Sequence, residues 1–268
     1  MIFEKKSKQL KKESNQGIAV SIDFSINDSI AFLKLNTPQK LNALSSLVMR
    51  EIDKKLIDVD QKAKVLVITG CDRAFAAGVD IKEIESHSSE SANLLNFIDC
   101  SWESVSRVKI PTIAAVSGYA LGGGFELALM CDIIIAAENA KFGFPEVNLG
   151  LMPGMGGHQF LTRIVGPKIA AELIMSGDPI SAVRAQELNI VSRVVENSKL
   201  ISCAMDIARK IAEKPIASLK VIKESIGLAQ NSPLIQGIKS ERQMFRALFS
   251  TKDKEERISR FLKRDKTQ

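Results

Sequence analysis

Two glutamates and a run of three glycines are the residues of this chain whose types and spacing could do chemistry. Glycines 122–124 follow an apolar run, Thr112–Val116, and stand just before Glu126. Three successive glycines let the backbone turn tightly, and a helix that begins on them presents unpaired N–H groups and the positive end of its dipole, which stabilise negative charge. A second acid, Glu146, follows twenty residues later in an apolar stretch. Two acids and one oxyanion hole form a candidate catalytic constellation.

A loop of small residues precedes this stretch. It runs over 74–80 with the sequence Ala-Phe-Ala-Ala-Gly-Val-Asp, directly after a β-branched run over 65–70 that is typical of a strand buried on both faces. Small side chains let a ligand approach the backbone closely. A binding loop and a merely tight loop are both compatible with these residues.

The elements that must position these groups follow from periodicity and turn residues. Alternating apolar residues predict a hairpin over 18–24 and 29–35, and short apolar runs predict strands over 65–70, 112–116, 133–137 and 190–195. Helical spacing predicts helices over 44–60, 93–107, 125–130, 158–165, 167–175, 181–188, 200–213, 216–229, 234–249 and 254–263. Asn189 stands where a helix end requires a left-handed residue. The order of elements predicts an α/β fold with a helical C-terminal part.

Composition limits the class of protein. Hydrophobic residues make up 45% of the 268 residues, enough for a sizeable core. No apolar run approaches the roughly 18 residues of a membrane span, and no leading segment has the pattern of a signal peptide, so we expect a soluble, cytoplasmic protein. Two histidines and four scattered cysteines without C-x-x-C spacing predict reduced thiols and no metal: His87, His158, Cys71, Cys100, Cys131 and Cys203.

The net charge of +6 comes from the two ends of the chain. Residues 1–13 hold five lysines and two glutamates, and residues 252–268 hold seven basic and four acidic side chains. Short charged ends are usually solvated, although they also suit an acidic ligand such as a nucleotide phosphate. We divide the chain into a basic flexible arm (1–17), a core domain (18–199) and a helical C-terminal region (200–268).

Seven motifs in order carry a resemblance to a known family: Leu41-Asn42-Ala43-Leu44, then 75–81, 118–126, 142–150, 153–157, 176–177 and 253–261. With these motifs the chain resembles the enoyl-CoA hydratase/isomerase (crotonase) family over nearly everything after residue 18. The resemblance implies a crotonase (ClpP/crotonase-like) spiral of ββα units, with the C-terminal helices packed between subunits of a homotrimer or homohexamer. It also implies an acyl-CoA substrate, coenzyme A being part of that substrate, and no separate cofactor.

The same resemblance implies roles for individual residues. The N–H groups of Ala77 and Gly123 would hold the thioester oxygen, while Glu126 and Glu146 would add water to a trans-2-enoyl thioester. Glu126, near a helix N-terminus, is favoured to stay ionised as the base, and Glu146, among apolar residues, is favoured to hold a proton. Substrate contacts would come from Lys40, Leu41, Ala77, Gly78, Val79, Asp80 and Gly123, with Lys263 and Arg264 as candidates for the adenosine phosphates.

The presence of both glutamates favours a hydratase, and two alternatives stay open. An isomerase of this fold uses mainly the acid equivalent to Glu146, so enoyl-CoA isomerase or another activity of the family is the first. An RNA-binding member of the fold is the second, but the arm's lysines lack the interleaved aromatic residues that stack on bases. We expect assembly because the helices after residue 200 have no sheet left to cover with their apolar stripes: Ile207, Ile211, Leu219, Ile222, Ile226, Met244, Phe245, Leu248 and Phe249.

Overall fold

The computed structural model describes residues 22–87, 98 and 100–264, so the predicted arm over 1–17 lies outside it. The strands are β1 (Ile22–Asn27), β2 (Ile30–Leu35), β3 (Val65–Thr69), β4 (Ala74–Ala76), β5 (Thr112–Val116), β6 (Tyr119–Leu121), β7 (Ile133–Ala137), β8 (Lys141–Gly143), β9 (Ile180–Ser181) and β10 (Arg193–Val195). The α-helices are α1 (Ser46–Leu56), α2 (Val59–Lys62), α3 (Ile81–Glu85), α4 (Gly123–Leu129), α5 (Gly157–Val165), α6 (Pro167–Ser176), α7 (Ala182–Glu187), α8 (Leu200–Ala212), α9 (Ile216–Asn231), α10 (Leu234–Ala247) and α11 (Lys252–Arg264).

The described strands form two sheets. The larger has the order β1-β2-β3-β5-β7-β10, and all its pairs are parallel except the β1–β2 hairpin. Every residue of β3 and β5 is buried, as their continuous apolar sequences predict. The smaller sheet has the order β4-β6-β8-β9, in which β4, β6 and β8 run parallel.

A repeated step along the chain builds both sheets. β3, β5 and β7 lie in the larger sheet, and the strand after each of them lies in the smaller one. The chain then enters a helix: α3 after β4, α4 after β6, and a 3₁₀ helix over Pro145–Leu149 after β8. Each repeat is a ββα unit, and its turn from strand to helix falls at the same edge of the smaller sheet as the next.

The first C-terminal helix covers the larger sheet. Leu200, Ala204 and Ala208 of α8 form one buried cluster with residues of β3, β5 and β7, and Ile207 and Ile211 pack against it. The prediction that no sheet remains for the helices after residue 200 is therefore wrong for α8, because that helix follows β10 directly and lies along the uncovered face.

The next helix is tied to the core by a lysine. Lys223 Nζ of α9 lies 2.8 Å from Asp132 Oδ2 and donates to the Ile110 carbonyl at 3.1 Å. Asp132 Oδ2 also accepts from the Thr112 N–H at the start of β5, at 2.7 Å. This ion pair is partly buried, so it fixes α9 against the N-terminal end of β5.

The helices α9 to α11 leave much of their apolar surface uncovered. Ile222 and Ile226 are 53% and 59% exposed, and Phe245 and Phe249 are 61% and 53% exposed. The two phenylalanines form an edge-to-face pair whose ring centroids lie 5.2 Å apart. The apolar stripes of α9 and α10 therefore remain candidates for contact with a partner.

Most long elements lie where the sequence predicts them, including β3, β5, β7 and α5 to α8. Asn189 has a φ of 60°, as the helix end requires. Of the helix predicted over 93–107, the structure describes residues 98 and 100–107, and there the prediction is wrong, because the chain forms a 3₁₀ turn over Cys100–Glu103 followed by further turns. Four short strands were missed: β4, β6 and β8 lie in segments interpreted as turns or loops, and β9 overlaps the start of the helix predicted over 181–188. Among the described residues no helix has the length and apolarity to span a membrane.

Candidate active site

The site forms where three turns meet at one edge of the smaller sheet. β4, β6 and β8 are parallel neighbours, so the segments that follow them emerge side by side. These segments are residues 77–80, glycines 122–124 and residues 144–146. The Gly122 N–H donates to the Gly143 carbonyl at 2.9 Å, which ties the second turn to the strand before the third. Residues far apart in sequence thereby share one small region.

The glycine turn places the N-terminus of α4 against β4. Gly122, with φ 51° and ψ −126°, precedes the helix, and Gly123 is its first residue, so the Gly123 N–H has no partner inside the helix. Gly124 is required by space, because a Cβ there would lie 2.0 Å from the Ala76 carbonyl oxygen. The Gly123 N–H is thus an available donor at the positive end of a short buried helix.

The loop after β4 pairs with the segment over 41–44. The Ala77 N–H donates to the Leu41 carbonyl at 3.0 Å, the Leu44 N–H donates to the Gly78 carbonyl at 2.7 Å, and the Asp80 N–H donates to the Leu44 carbonyl at 2.8 Å. The prediction that Ala77 supplies a free oxyanion donor is therefore wrong, because its N–H is already used.

The available amide in this loop belongs to Val79. Its N–H has no acceptor among the residues that the structure describes. The Val79 nitrogen lies 3.6 Å from the position that a Cβ on Gly123 would take. The neighbouring Asp80 N–H is used by Leu44, so the Val79 N–H, beside the first residue of α4, is the available donor of this loop.

Glu126 lies in the first turn of α4 and is 1% exposed. Its Oε1 accepts the N–H groups of Met155 and Gly157 at 2.7 and 2.8 Å. Burial raises the pKa of Glu126, and the backbone N–H groups of Gly157, Met155 and Gly154 oppose that rise because they favour the carboxylate. The Glu126 carboxyl is therefore deeply buried, yet backbone N–H groups stabilise its charged form.

Glu146 lies in the 3₁₀ helix after β8 and faces Gly122. Its Oε1 lies 2.6 Å from the position that a Cβ on Gly122 would take, so a side chain there would displace the carboxyl. Its Oε2 is buried and has no hydrogen-bond partner within the described part of the chain. Burial, aided by the charge of Glu126 and opposed by the Glu146 backbone N–H, raises the pKa of Glu146 to about 7. This carboxyl can hold a proton near neutral pH.

An aromatic cluster supports both acids. Phe125 stacks on Phe144 with the ring centroids 4.8 Å apart and packs against Phe142 at 5.3 Å. All three rings are buried. Because Phe125 precedes Glu126 and Phe144 stands two residues before Glu146, their packing fixes the two backbone segments that carry the carboxyls.

The predicted substrate-binding residues divide into two groups. Lys40 forms an ion pair with Asp80 at 3.4 Å, and the pairing of 41–44 with 77–80 brings Leu41, Gly78 and Val79 to the same place. Gly78 lies near Leu121 and Val79 lies near Gly123, while contact of any of these residues with a substrate stays a prediction. Lys263 and Arg264 lie in the last turn of α11, and their approach to a phosphate stays a prediction.

Sequence reasoning gave no role to Asn42 or Met155. Asn42 is 1% exposed and hydrogen-bonds three backbone groups, while Met155 Cε lies 3.2 Å from the position that a Cβ on Gly123 would take. A signal for Asn42 was present in the Leu-Asn-Ala-Leu motif. Among the described residues no group of three or more His, Cys, Asp or Glu side chains could hold a metal ion.

Comparison with known proteins decides the family. The family model for enoyl-CoA hydratase/isomerase matches residues 25–268. The chain belongs to the enoyl-CoA hydratase/isomerase family. It is 43% identical over 241 residues to a probable enoyl-CoA hydratase of Rhizobium meliloti, covering 89% of this chain and 93% of that one. It is also 39% identical over 237 residues to the 2,3-dehydroadipyl-CoA hydratase of Escherichia coli, with coverages of 88% and 92%.

A solved structure of this family confirms the predicted fold. The enoyl-CoA hydratase subunit I of Geobacillus kaustophilus superposes with a TM-score of 0.88 at 44% identity, covering 91% of this chain and 96% of that one. The crotonase fold of ββα units, inferred from the motifs, is thus the fold of this member of the enoyl-CoA hydratase/isomerase family.

Proposed function

We propose that this protein is an enoyl-CoA hydratase that adds water reversibly to trans-2-enoyl-CoA to give 3-hydroxyacyl-CoA. The observation that carries the proposal is a pair of carboxyls, Glu126 and Glu146, on two turns that flank two available backbone amides. Hydration needs one group to activate water, one to deliver a proton, and donors for the enolate oxygen. The names of the relatives agree with this chemistry.

The two amides serve the thioester oxygen. In the proposed complex the N–H groups of Val79 and Gly123 donate to that oxygen as negative charge develops on it. Loss of one such donor typically costs about 10² to 10³ in rate. Both donors belong to the backbone, and the N-terminus of α4 adds its dipole to the Gly123 side of the pair.

The two carboxyls divide the proton transfers. Glu126 takes a proton from water as the water oxygen bonds to C3, and the C2–C3 double-bond electrons move towards the thioester to form the enolate. Glu146 then delivers its proton to C2, and the enolate electrons form the new C–H bond. The backbone donors to Glu126 support the ionised form that a base requires, and the pKa of Glu146, raised to about 7, supports the protonated form that an acid requires.

The rest of the substrate extends along the segments that frame the amides. Lys40 and Leu41 stand at the start of the segment that pairs with 77–80, so a CoA chain leaving the thioester meets both segments. We propose that coenzyme A is recognised there as part of the substrate and that the reaction uses no separate cofactor. Lys263 and Arg264 remain candidates for its adenosine phosphates.

The test is steady-state hydration of crotonyl-, octenoyl- and branched enoyl-CoA by the purified full-length protein. We expect Glu126→Gln to lower the rate of hydration by about 10² to 10⁴, with little change in affinity for butyryl-CoA, a saturated thioester that cannot react. Hydration that survives this substitution would overturn the proposal. If Glu126→Gln loses hydration but still isomerises the double bond of an enoyl-CoA, then isomerisation needs only Glu146.

A further inference from the structure

The buried side chain of Asn42 links two parts of the site that are distant in sequence. Its Nδ2 donates to the carbonyls of Ala74 and Phe75 at 2.9 and 3.2 Å, and its Oδ1 accepts the Thr37 N–H at 2.8 Å. Both amide hydrogens are thus used on β4, while the oxygen holds the turn that carries Lys40 and Leu41. The donor capacity of this side chain is fully committed to backbone.

These contacts fall at the irregular point of β4. The pairing of β4 with β6 shifts register between Ala74 and Ala76, so the carbonyls near Phe75 are not held by a regular ladder. The Ala76 carbonyl oxygen lies so close to Gly124 of α4 that a Cβ there would be 2.0 Å from it. A displacement of β4 at this point would therefore change the separation between the Val79 and Gly123 amides.

We infer that Asn42 is a positioning residue for the oxyanion hole. It acts through the backbone, because its amide holds β4 in the register that lets the Leu41 carbonyl take the Ala77 N–H and leaves the Val79 N–H directed at the thioester. The inference rests on the proposed function, since it assigns a geometry to the same two amides. It adds a side chain that touches neither substrate nor acid.

The backbone of Asn42 suits the same purpose. Leu41 and Asn42 have φ values of 51° and 54°, in the left-handed region that asparagine adopts more readily than most residues. Glycine would keep this backbone conformation without strain and delete the amide. Asn42→Gly is therefore the substitution that separates the side chain's hydrogen bonds from the turn's conformation.

The main experiment measures carbonyl polarisation. Butyryl-CoA labelled with ¹³C at the thioester carbonyl is bound to the full-length protein, and its stretching frequency is recorded by infrared difference spectroscopy. We expect a shift to lower frequency in the wild-type protein and a smaller shift in Asn42→Gly. The variant's kcat for crotonyl-CoA should fall by about 10²-fold, the usual effect of misplacing a group by roughly 1 Å. Its affinity for free CoA, which has no thioester carbonyl, should change much less than kcat, although Asn42 also holds the turn of Lys40 and Leu41 through the Thr37 N–H.

Asn189→Gly is the matched control, because Asn189 also has a positive φ but is exposed and outside the site. It should keep the wild-type frequency and kcat. Asn42→Asp provides a second variant: a protonated Asp regains one donor, so its carbonyl shift should grow as the pH falls by more than that of the wild-type protein, in which Glu146 also titrates, its pKa being raised to about 7.

The outcomes separate the two proposals. A full carbonyl shift in Asn42→Gly, or an Asn42→Asp shift that changes with pH no more than the wild-type shift does, would overturn the role of Asn42. Absence of hydration and of a carbonyl shift in the wild-type protein would instead overturn the proposed function.

Discussion

Two carboxyls of the same chemical type have different surroundings in this site. Glu126 is buried but accepts backbone N–H groups, whereas one oxygen of Glu146 is buried with no partner among the described residues. Burial raises the pKa of both carboxyls, and the backbone donors of Gly157, Met155 and Gly154 oppose that rise at Glu126. The difference supports the proposal that Glu146 carries the proton, and it gives two predictions at the residue scale.

The first prediction concerns the pH dependence of hydration. If Glu146 is the acid, kcat/KM should be retained below its pKa and should fall about tenfold per pH unit above about 7. Measurements of kcat/KM for crotonyl-CoA between pH 5.5 and 9 would check this, with Glu146→Gln as the control that lacks the titration. A rate that rises through pH 7 would contradict the assignment.

The second prediction concerns stability. The pKa of Glu146 in the folded protein is raised from 4.5 to about 7, so the folded state binds the proton more tightly than the unfolded state. Its contribution to stability is therefore present below pH 4.5 and is lost as the pH rises through about 7, with a slope of at most about 1.4 kcal/mol per pH unit. Urea denaturation should show a steeper loss in wild type than in Glu146→Gln over this window. If the free energy of unfolding has the same pH dependence in both proteins, the pKa of Glu146 is not raised in the folded state.

At the scale of elements, adjacent glycines of one turn meet different neighbours. A Cβ on Gly124 would lie 2.0 Å from the Ala76 carbonyl oxygen, which is backbone, while a Cβ on Gly123 would meet Val79 Cγ2 at 3.1 Å and Met155 Cε at 3.2 Å. Side-chain ends can move by a few tenths of an ångström, but paired backbone cannot. Glycine at position 124 is therefore needed for α4 to pack on β4, whereas a side chain at position 123 would extend into the candidate site.

We predict that Gly123→Ala folds normally but lowers kcat by about 10²-fold, because the added methyl displaces the amide from the thioester oxygen. Gly124→Ala should instead lower the free energy of unfolding by about 3 kcal/mol or more, the upper range for overpacking. Urea denaturation and crotonyl-CoA kinetics of both variants would test the contrast. Near-wild-type turnover in Gly123→Ala would place the oxyanion hole elsewhere.

At the scale of the whole molecule, the uncovered stripes of α9 and α10 favour assembly. Ile222, Ile226 and Phe245 line one groove between these helices, and each is more than half exposed. Contiguous apolar surface of this kind commonly marks an interface between subunits. We propose that the protein is a homotrimer or homohexamer.

The corresponding test is sedimentation velocity of the full-length protein at several concentrations. A trimer or hexamer is expected, and replacing Ile222 and Phe245 together by Asp should shift the mass towards monomer. Ile57→Asp is a suitable control, because Ile57 is 71% exposed at the end of α1 and belongs to neither stripe. A stable wild-type monomer would contradict the proposal.

Local sequence was enough for the elements whose stability is local or strongly hydrophobic. The β-branched runs of β3 and β7 bury both faces, and a helix beginning at consecutive glycines is a property of that segment. The family resemblance carried by the motifs then predicted the fold and the two candidate catalytic glutamates. In contrast, β4, β6 and β8 are three residues long, so they become strands only through pairing with one another, which no local pattern reports.

The oxyanion donor of the loop over 74–80 also shows what sequence determines and what only the tertiary structure decides. The family resemblance placed an oxyanion donor in the small-residue loop over 74–80 and assigned it to Ala77, although sequence gives no direction to an N–H group. The tertiary structure pairs Ala77 with Leu41 and leaves Val79 available. Direction depends on which neighbouring segment supplies the acceptors, and here that segment, 41–44, is more than thirty residues away along the chain. Sequence therefore determined the fold, the glycine turn and the two glutamates, and only the tertiary structure decided which backbone groups are free to meet a substrate.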